Sequence, residues 1–599
     1  NTLTNADETF TYTVSKEIEK NMPSTAKYSK VVIKDAVDSC LTIDSVKFYA
    51  GDKDVTSSFA PTSANKGNYL EYAASSDLLN NKDFYGNNAG TTVKMVIKTH
   101  IDAKKVSIET LRAHGHLVEN DKKTETDIKI KNETTVTTTK ADNQGTWDVD
   151  KKVTPPPTTT DSPVPSIKDP VKKVSDSDDL NWDATVKQDG EKTPGSHNRV
   201  TDVTNQWLYT LTQEIPAHTV ELFHYKSFTI TDAVDSCLSY DVKDIAIKAG
   251  DKDYTDKFDV TKGEDNSITL TAKADVLTSE EFYGGNAGNK IVVSFPVKIS
   301  ADAETLKDEN LGHLEMDGKK LAHLQEVSDL QKLSGFTDLV KSKDNEYVYA
   351  FLNQAKTHID SQIKYEGQTG VKDRSTDKVQ TAVETADPTI KKESSKYEWQ
   401  VGDKVDYTIN VGDANSNSIA DNVVITDESL PKAMLPDKDS ITISSTFDKE
   451  KSGAPEDRDI SKDAKIEYTE KGFVITIPKL YRGEVTTIKL TCTAKEKSTY
   501  DSITDQWADC LEKANADKKL TCVNGEVIEN RAYVTATLML KDKDNPPDDL
   551  ERVWVNTPHL NIKKSVEKKE YNVGETVKYT LVVTNVHEGT LARDIVITD

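Results

Sequence analysis

Three near-copies of one short strand each carry an asparagine: Ile130-Lys131-Asn132-Glu133-Thr134, Phe351-Leu352-Asn353-Gln354-Ala355 and Ile528-Glu529-Asn530-Arg531-Ala532. Upstream of each, a β-branched run closes on an aspartate: Val31-Val32-Ile33-Lys34-Asp35, Phe228-Thr229-Ile230-Thr231-Asp232 and Val423-Val424-Ile425-Thr426-Asp427. Two of these units begin with a strand carrying Lys-Lys, at 172–173 and 391–392. A lysine, an aspartate and an asparagine in that order can form an amide cross-link with loss of ammonia. In water the reaction fails, because the amine is protonated and the carboxamide is a poor electrophile. Burial disfavours the ammonium and raises the carboxyl pKa, so a neutral amine and a protonated acid can coexist. Folding then makes the encounter intramolecular.

Strands must position these groups. Runs such as Lys404-Val405-Asp406-Tyr407-Thr408-Ile409-Asn410-Val411 alternate with period two, and Gly, Asp and Asn turns separate them. Such spacing predicts antiparallel sandwiches, an all-β fold of tandem immunoglobulin-like domains with small helical insertions near 316–342 and 500–518. Strand parity places Leu560, Ile562 and Lys564 on one face, as it does Ile390 with Lys392 and Val171 with Lys173. On that reading Lys173, Lys392 and Lys564 face a core, while Lys172, Lys391 and Lys563 face solvent. The lysine and aspartate lie 35 residues apart in both 392–427 and 564–599. In the second unit a polar stretch over 175–197 widens the interval.

The repeats define the organisation. Residues 1–40 align on 198–237 without a gap, and Ala-Val-Asp-Ser-Cys-Leu recurs at 36–41 and 233–238. Phe84-Tyr85-Gly86 with Ala89-Gly90 recurs as Phe282-Tyr283-Gly284 with Ala287-Gly288. A second pair matches 388–427 with 560–599. The expected domains are therefore 1–154, lacking its first strand, then 166–386, 387–557 and the start of another at 558–599. Pro155 to Pro165 reads as a stiff linker, and the short junctions predict a rod. Because Asn1 matches Asn198 and Asp599 closes an aspartate strand, the chain reads as a segment of a longer protein.

Composition excludes several functions. A net charge of -24 argues against nucleic-acid binding. No apolar run approaches the roughly 18 residues of a membrane helix, and no signal-peptide pattern opens the chain. Five cysteines in 599 residues are no disulfide framework. Cys40 and Cys237, one per repeat, read as small buried hydrophobes. Cys510 and Cys522 flank a helix-like segment, and spacing alone leaves their pairing open. The eleven histidines show no metal-binding spacing, the Asp-rich stretches 176–183 and 542–549 lack calcium-loop spacing, and no phosphate loop or nucleophile elbow is present. No cofactor, metal or ordinary enzyme is expected. Asn132-Glu133-Thr134 fits a glycosylation sequon, but Asn353 and Asn530 do not, so the shared position points to the cross-link.

The pattern Ile-x-Lys, Val401-Gly402-Asp403-Lys404-Val405-Asp406-Tyr407-Thr408, Ile425-Thr426-Asp427 and Asn530-Arg531-Ala532 resembles the isopeptide-forming domains of Gram-positive pilins and adhesins. These are similar to the collagen-adhesin A-type (CnaA-like) sandwich, and the resemblance covers essentially the whole chain. It implies a first-strand lysine bonded to a last-strand asparagine with an aspartate as catalyst. Here that means Lys173, Asp232 and Asn353, then Lys392, Asp427 and Asn530. Asp35 and Asn132 have no lysine in view, and Lys564 and Asp599 have no asparagine, so their partners would lie outside this chain. The resemblance implies a structural stalk at the cell surface, cell-wall anchored, with neighbouring subunits or the wall joined through sortase. Lys151 and Lys152 lie where such pilins carry an acceptor lysine, without the family's Tyr-Pro-Lys. The alternative is an adhesin region binding a host receptor or glycan through loop insertions, with Trp507 as the notable candidate.

Overall fold

The computed structural model describes residues 3, 6–19, 26–87, 89–142, 145–176, 195–217, 220–309, 314–316, 319–330, 347–430, 434–495, 526–556, 558–586 and 590–599. Most of both expected insertions, Trp507, and Cys510 with Cys522 lie outside them. Strands dominate, almost all antiparallel, as the alternation predicts.

The first unit pairs two sheets. One runs in the order Phe10–Ile18, Thr91–Ile101, Leu41–Ala50, Lys53–Asp54. The other centres on Lys27–Ala36 and the long strand Glu125–Asp142, which carries Asn132 at its middle. The second unit repeats this plan with additions, among them Val171–Asp176, which lies outside Trp207–Ile215, the equivalent of Phe10–Ile18. Among the described residues no strand takes that place in the first unit, so Phe10–Ile18 is a sheet edge. The third unit has both sheets, one opening with Pro388–Ser394 and the other built around Ala420–Leu430 and Glu526–Thr535. In the fourth, Leu560–Val566 pairs with Tyr579–Asn585.

The burial pattern of Trp207–Ile215 alternates residue by residue, with Trp207, Tyr209, Leu211 and Ile215 inside. The repeated Phe-Tyr-Gly motif is a corner. Tyr283 donates its hydroxyl hydrogen to the Leu277 carbonyl at 2.8 Å and accepts from the Tyr225 amide at 2.7 Å. Tyr85 does the same with Leu79 and Tyr28. Gly284 sits at φ +64°, where a Cβ would meet the Gly288 carbonyl oxygen at 2.2 Å, so only glycine fits.

The Pro-rich stretch is not a free linker. Thr158–Pro163 is a strand paired antiparallel to 127–132, and Thr160, Ser162, Val164 and Ile167 are buried. It corresponds to Val379–Glu384 on Tyr347–Asn353 and to Asp548–Asn556 on Glu526–Thr535. Proline is tolerated because the pairing runs along a sheet edge. The junctions are also bonded: the Gln362 carbonyl accepts from Arg112, the Lys364 amide donates to Glu125, and Lys479 pairs with Asp202.

Candidate cross-linking site

In the third unit three strands converge. Lys392 sits on Pro388–Ser394, opposite Ile409. Asp427 lies opposite Ala532, two residues beyond Asn530. The Lys392 ammonium is in direct contact with an Asp427 carboxylate oxygen, with side chains 0% and 1% exposed. Nζ also lies 5.0 Å from the Tyr407 ring centroid, on its face. Burial pulls the lysine pKa down and pushes the Asp427 pKa up, each against the attraction of the other. Both shifts favour moving the proton from amine to carboxyl. Asn530 is wholly buried, and neither its amide nitrogen nor its oxygen makes a hydrogen bond of normal geometry.

The second unit builds the same arrangement, but with Lys172. Its ammonium contacts Asp232, its side chain is 0% exposed, and it lies 4.9 Å from the Tyr209 ring and 5.7 Å from Phe295. Burial lowers its pKa. Asn353 is buried beside the pair, its Oδ1 without a partner and its Nδ2 3.5 Å from the Ala233 carbonyl. Lys173, expected at this position, is exposed. The parity reading took Val171 as the inward residue, whereas Val171 is 52% exposed and Pro170, Lys172 and Val174 point in. A slip of one residue exchanges every side chain between faces.

In the first unit Asn132 donates to Asp35 at 3.0 Å, both side chains buried, and no lysine is present among the described residues. Burial raises the Asp35 pKa to about 7, against the hydrogen bond from Asn132 that lowers it. In the fourth unit Lys564 pairs with Asp599 at 2.5 Å and lies 4.5 Å from the Tyr579 ring, with both charged side chains about half exposed.

The aromatic floor was missed at the sequence level as a site feature. Tyr209, Tyr407 and Tyr579 each lie two residues before the partner of the lysine, in the recurring x-Tyr-Thr segment. A ring face stabilises the cation before reaction and contributes apolar surface that desolvates it. The asparagine strand is not the last one either. Asp548–Asn556 follows Glu526–Thr535 and pairs with it, placing Glu551 opposite Asn530.

Chemically, the two sites bring a buried nucleophile and an acid–base group into contact, with a buried electrophile two residues before the aspartate's cross-strand partner. With its proton passed to Asp427, the Lys392 amine can attack the Asn530 carboxamide carbon while Asp427 protonates the carbonyl oxygen. Collapse of the tetrahedral species would then require Asp427 to relay the attacking nitrogen's proton to the leaving NH2, which departs as ammonia and leaves an amide.

No protein-family model and no curated protein matches the chain. Solved structures similar to it include the C-terminal domain of the Streptococcus pyogenes antigen I/II-family protein AspA, at 12% identity, covering 65% of this chain and 100% of that one, TM-score 0.31. The major pilin subunit BcpA of Bacillus cereus matches at 10% identity over 91% of this chain and 96% of its own, TM-score 0.24. The full-length major pilin SpaD of Corynebacterium diphtheriae matches at 11% identity over 86% of each chain, TM-score 0.23.

Proposed function

We propose that this chain is the stalk of a bacterial cell-surface pilin or adhesin, stiffened by self-formed isopeptide bonds Lys172–Asn353 and Lys392–Asn530. Asp232 and Asp427 catalyse one turnover each. The observation that carries this reading is the Asn530 amide, buried with no hydrogen bond of normal geometry at either end, close to a lysine and an aspartate that hold each other. An ordinary buried ion pair gives no reason to strand a neutral amide there, at a cost of about 1–3 kcal/mol. A reacting carboxamide does.

The mechanical consequence is specific. The bond ties the first strand of a unit to the penultimate one, so a load entering at Pro388–Ser394 bypasses the residues between 392 and 530. The strand Asp548–Asn556 stays outside the loop, held without a covalent tie by its ladders to Glu526–Thr535 and Glu398–Gln400, by buried Val553 and Val555 and by the ion pairs Arg531–Asp548 and Arg552–Glu529. On this reading the protein works outside the cell, joined to the wall or to neighbouring subunits through sortase, with Lys151 or Lys152 as the acceptor. Intact mass of the denatured chain tests the cross-links: two ammonia molecules fewer than calculated is the expected result, and the full calculated mass removes the proposal.

A further inference from the structure

A second constellation recurs in the first two units. Asp38 and Cys40 follow the aspartate strand in one, and Asp235 and Cys237 follow it in the other, both within Ala-Val-Asp-Ser-Cys-Leu. In each, the aspartate accepts a hydrogen bond from the cysteine amide at 2.8 Å, which fixes the turn. A histidine from a distant segment reaches the same pair. His116 and His323 immediately precede the short strands Leu117–Glu119 and Leu324–Glu326, and their carbonyls accept from Lys129 at 2.7 Å and Ala350 at 2.8 Å. His116 Nε2 lies 3.1 Å from Asp38, and His323 Nε2 lies 3.4 Å from Asp235. His116 Nε2 makes no hydrogen bond of proper geometry there, so in the first unit it and Asp38 face a common space beside Cys40.

The units then diverge. The first adds His114, so four side chains (Asp38, Cys40, His114 and His116) bring donor atoms within 4.8 Å of one another. The second offers three, Asp235, Cys237 and His323. His323 is fully buried, stacked on Phe351 at 4.7 Å, with Nδ1 3.1 Å from the Ala350 carbonyl. The site is sealed, and an imidazolium–carboxylate pair satisfies it.

We propose that Asp38, Cys40, His114 and His116 form a binding site for a thiophilic divalent cation of the zinc class. One thiolate, two imidazoles and one carboxylate are a tetrahedral zinc donor set. Ligand atoms around such an ion sit roughly 3–4 Å apart, given metal–ligand distances of about 2.0–2.3 Å, so no pair of the four donors, all within 4.8 Å of one another, needs to close by more than about 2 Å. Exposed His114 gives the ion an entry path, and Asn68, donating to the Asp38 carbonyl at 2.6 Å, braces the turn. Burial holds the Cys40 thiol protonated, with its pKa up to about 11, so binding must release that proton to solvent.

Cobalt(II) added to the full chain, reduced and freed of metal, tests the site. One equivalent should bind with the thiolate-to-cobalt charge-transfer absorption and the intense visible bands of four-coordination, and zinc should displace it. Cys40→Ser should abolish the charge-transfer band, and Cys237→Ser should leave it unchanged. His114→Ala, at an exposed position that tolerates truncation, should weaken binding at least about tenfold. No thiolate band at stoichiometric cobalt overturns the proposal. So does a band that survives Cys40→Ser, one that is lost with Cys237→Ser, or affinity indifferent to His114→Ala.

Discussion

The first and third units place the same aspartate and asparagine on equivalent strands, yet the two amides are in opposite states. Asn132 donates to Asp35 at 3.0 Å, whereas Asn530 makes no hydrogen bond to Asp427, whose carboxylate contacts Lys392 instead. On the proposed reading, the lysine thus supplies more than a nucleophile. By claiming the carboxylate it breaks the Asp–Asn bond that would otherwise hold the carboxamide in an unreactive, satisfied pose. In the first unit, where no amine lies at the pair among the described residues, Asn132 makes an ordinary hydrogen bond and burial raises the Asp35 pKa to about 7.

Force separates the two kinds of unit most widely. Stretched from its ends, an uncross-linked third unit, residues 388–556, should release about 600 Å of contour at roughly 3.5 Å per residue. With Lys392 bonded to Asn530, only the tails outside the loop can extend, about 100 Å. Single-molecule pulling of the wild type and Lys392→Ala reads the two step lengths. A long step in the wild type breaks the comparison.

Equilibrium stability should follow. The loop between Lys392 and Asn530 spans about 140 residues, so losing its closure in Lys392→Ala costs about 5 kcal/mol. The stranded Asp427 adds about 3–5 kcal/mol if it stays charged. Urea unfolding of Lys392→Ala against the double variant Lys392→Ala/Asp427→Ala separates the contributions. The double variant should recover the second part only.

How much of this was legible in the sequence depends on what each element shows there. The strands, the Asp and Asn positions and the order of the units followed from period-two patterning and repeats, since those are local. The choice of Lys172 over Lys173 was not legible. Two adjacent lysines offer both parities, and Val171, the apolar marker used to choose between them, proved 52% exposed while Pro170 took the inward place. The Pro-rich stretch looked like a linker because its residues are poor strand formers, and tertiary pairing with 127–132 overrode that. Cys40 and Cys237 were read one residue at a time, whereas their partners His116 and His323 come from remote segments whose approach only the fold reveals.

The pH dependence of the first unit sharpens the contrast with the third. The folded Asp35 pKa lies above the unfolded value, so the native state holds the proton more tightly. The stability this gives is fully present below about pH 4 and is lost as pH rises through about 7, up to about 4 kcal/mol in all. Pulse proteolysis of the first unit across that range should show the decline, and Asp35→Asn should flatten it.

The smallest effect expected is at Lys173. Lys173→Ala should shift stability by no more than about 0.5 kcal/mol, as for other surface positions, while Lys172→Ala should cost the far larger amount expected from removing the proposed cross-link of the second unit. Thermal unfolding of the two variants makes the comparison, and equal losses would restore the parity reading that the fold corrects.

Peptide mapping of the denatured, protease-digested chain by tandem mass spectrometry tests the central claim most directly. The account predicts two branched peptides, one joining Lys172 to Asn353 and one joining Lys392 to Asn530, each lighter by one ammonia than its linear parts. Recovery of Lys392 and Asn530 in separate linear peptides, with the calculated masses, would contradict it.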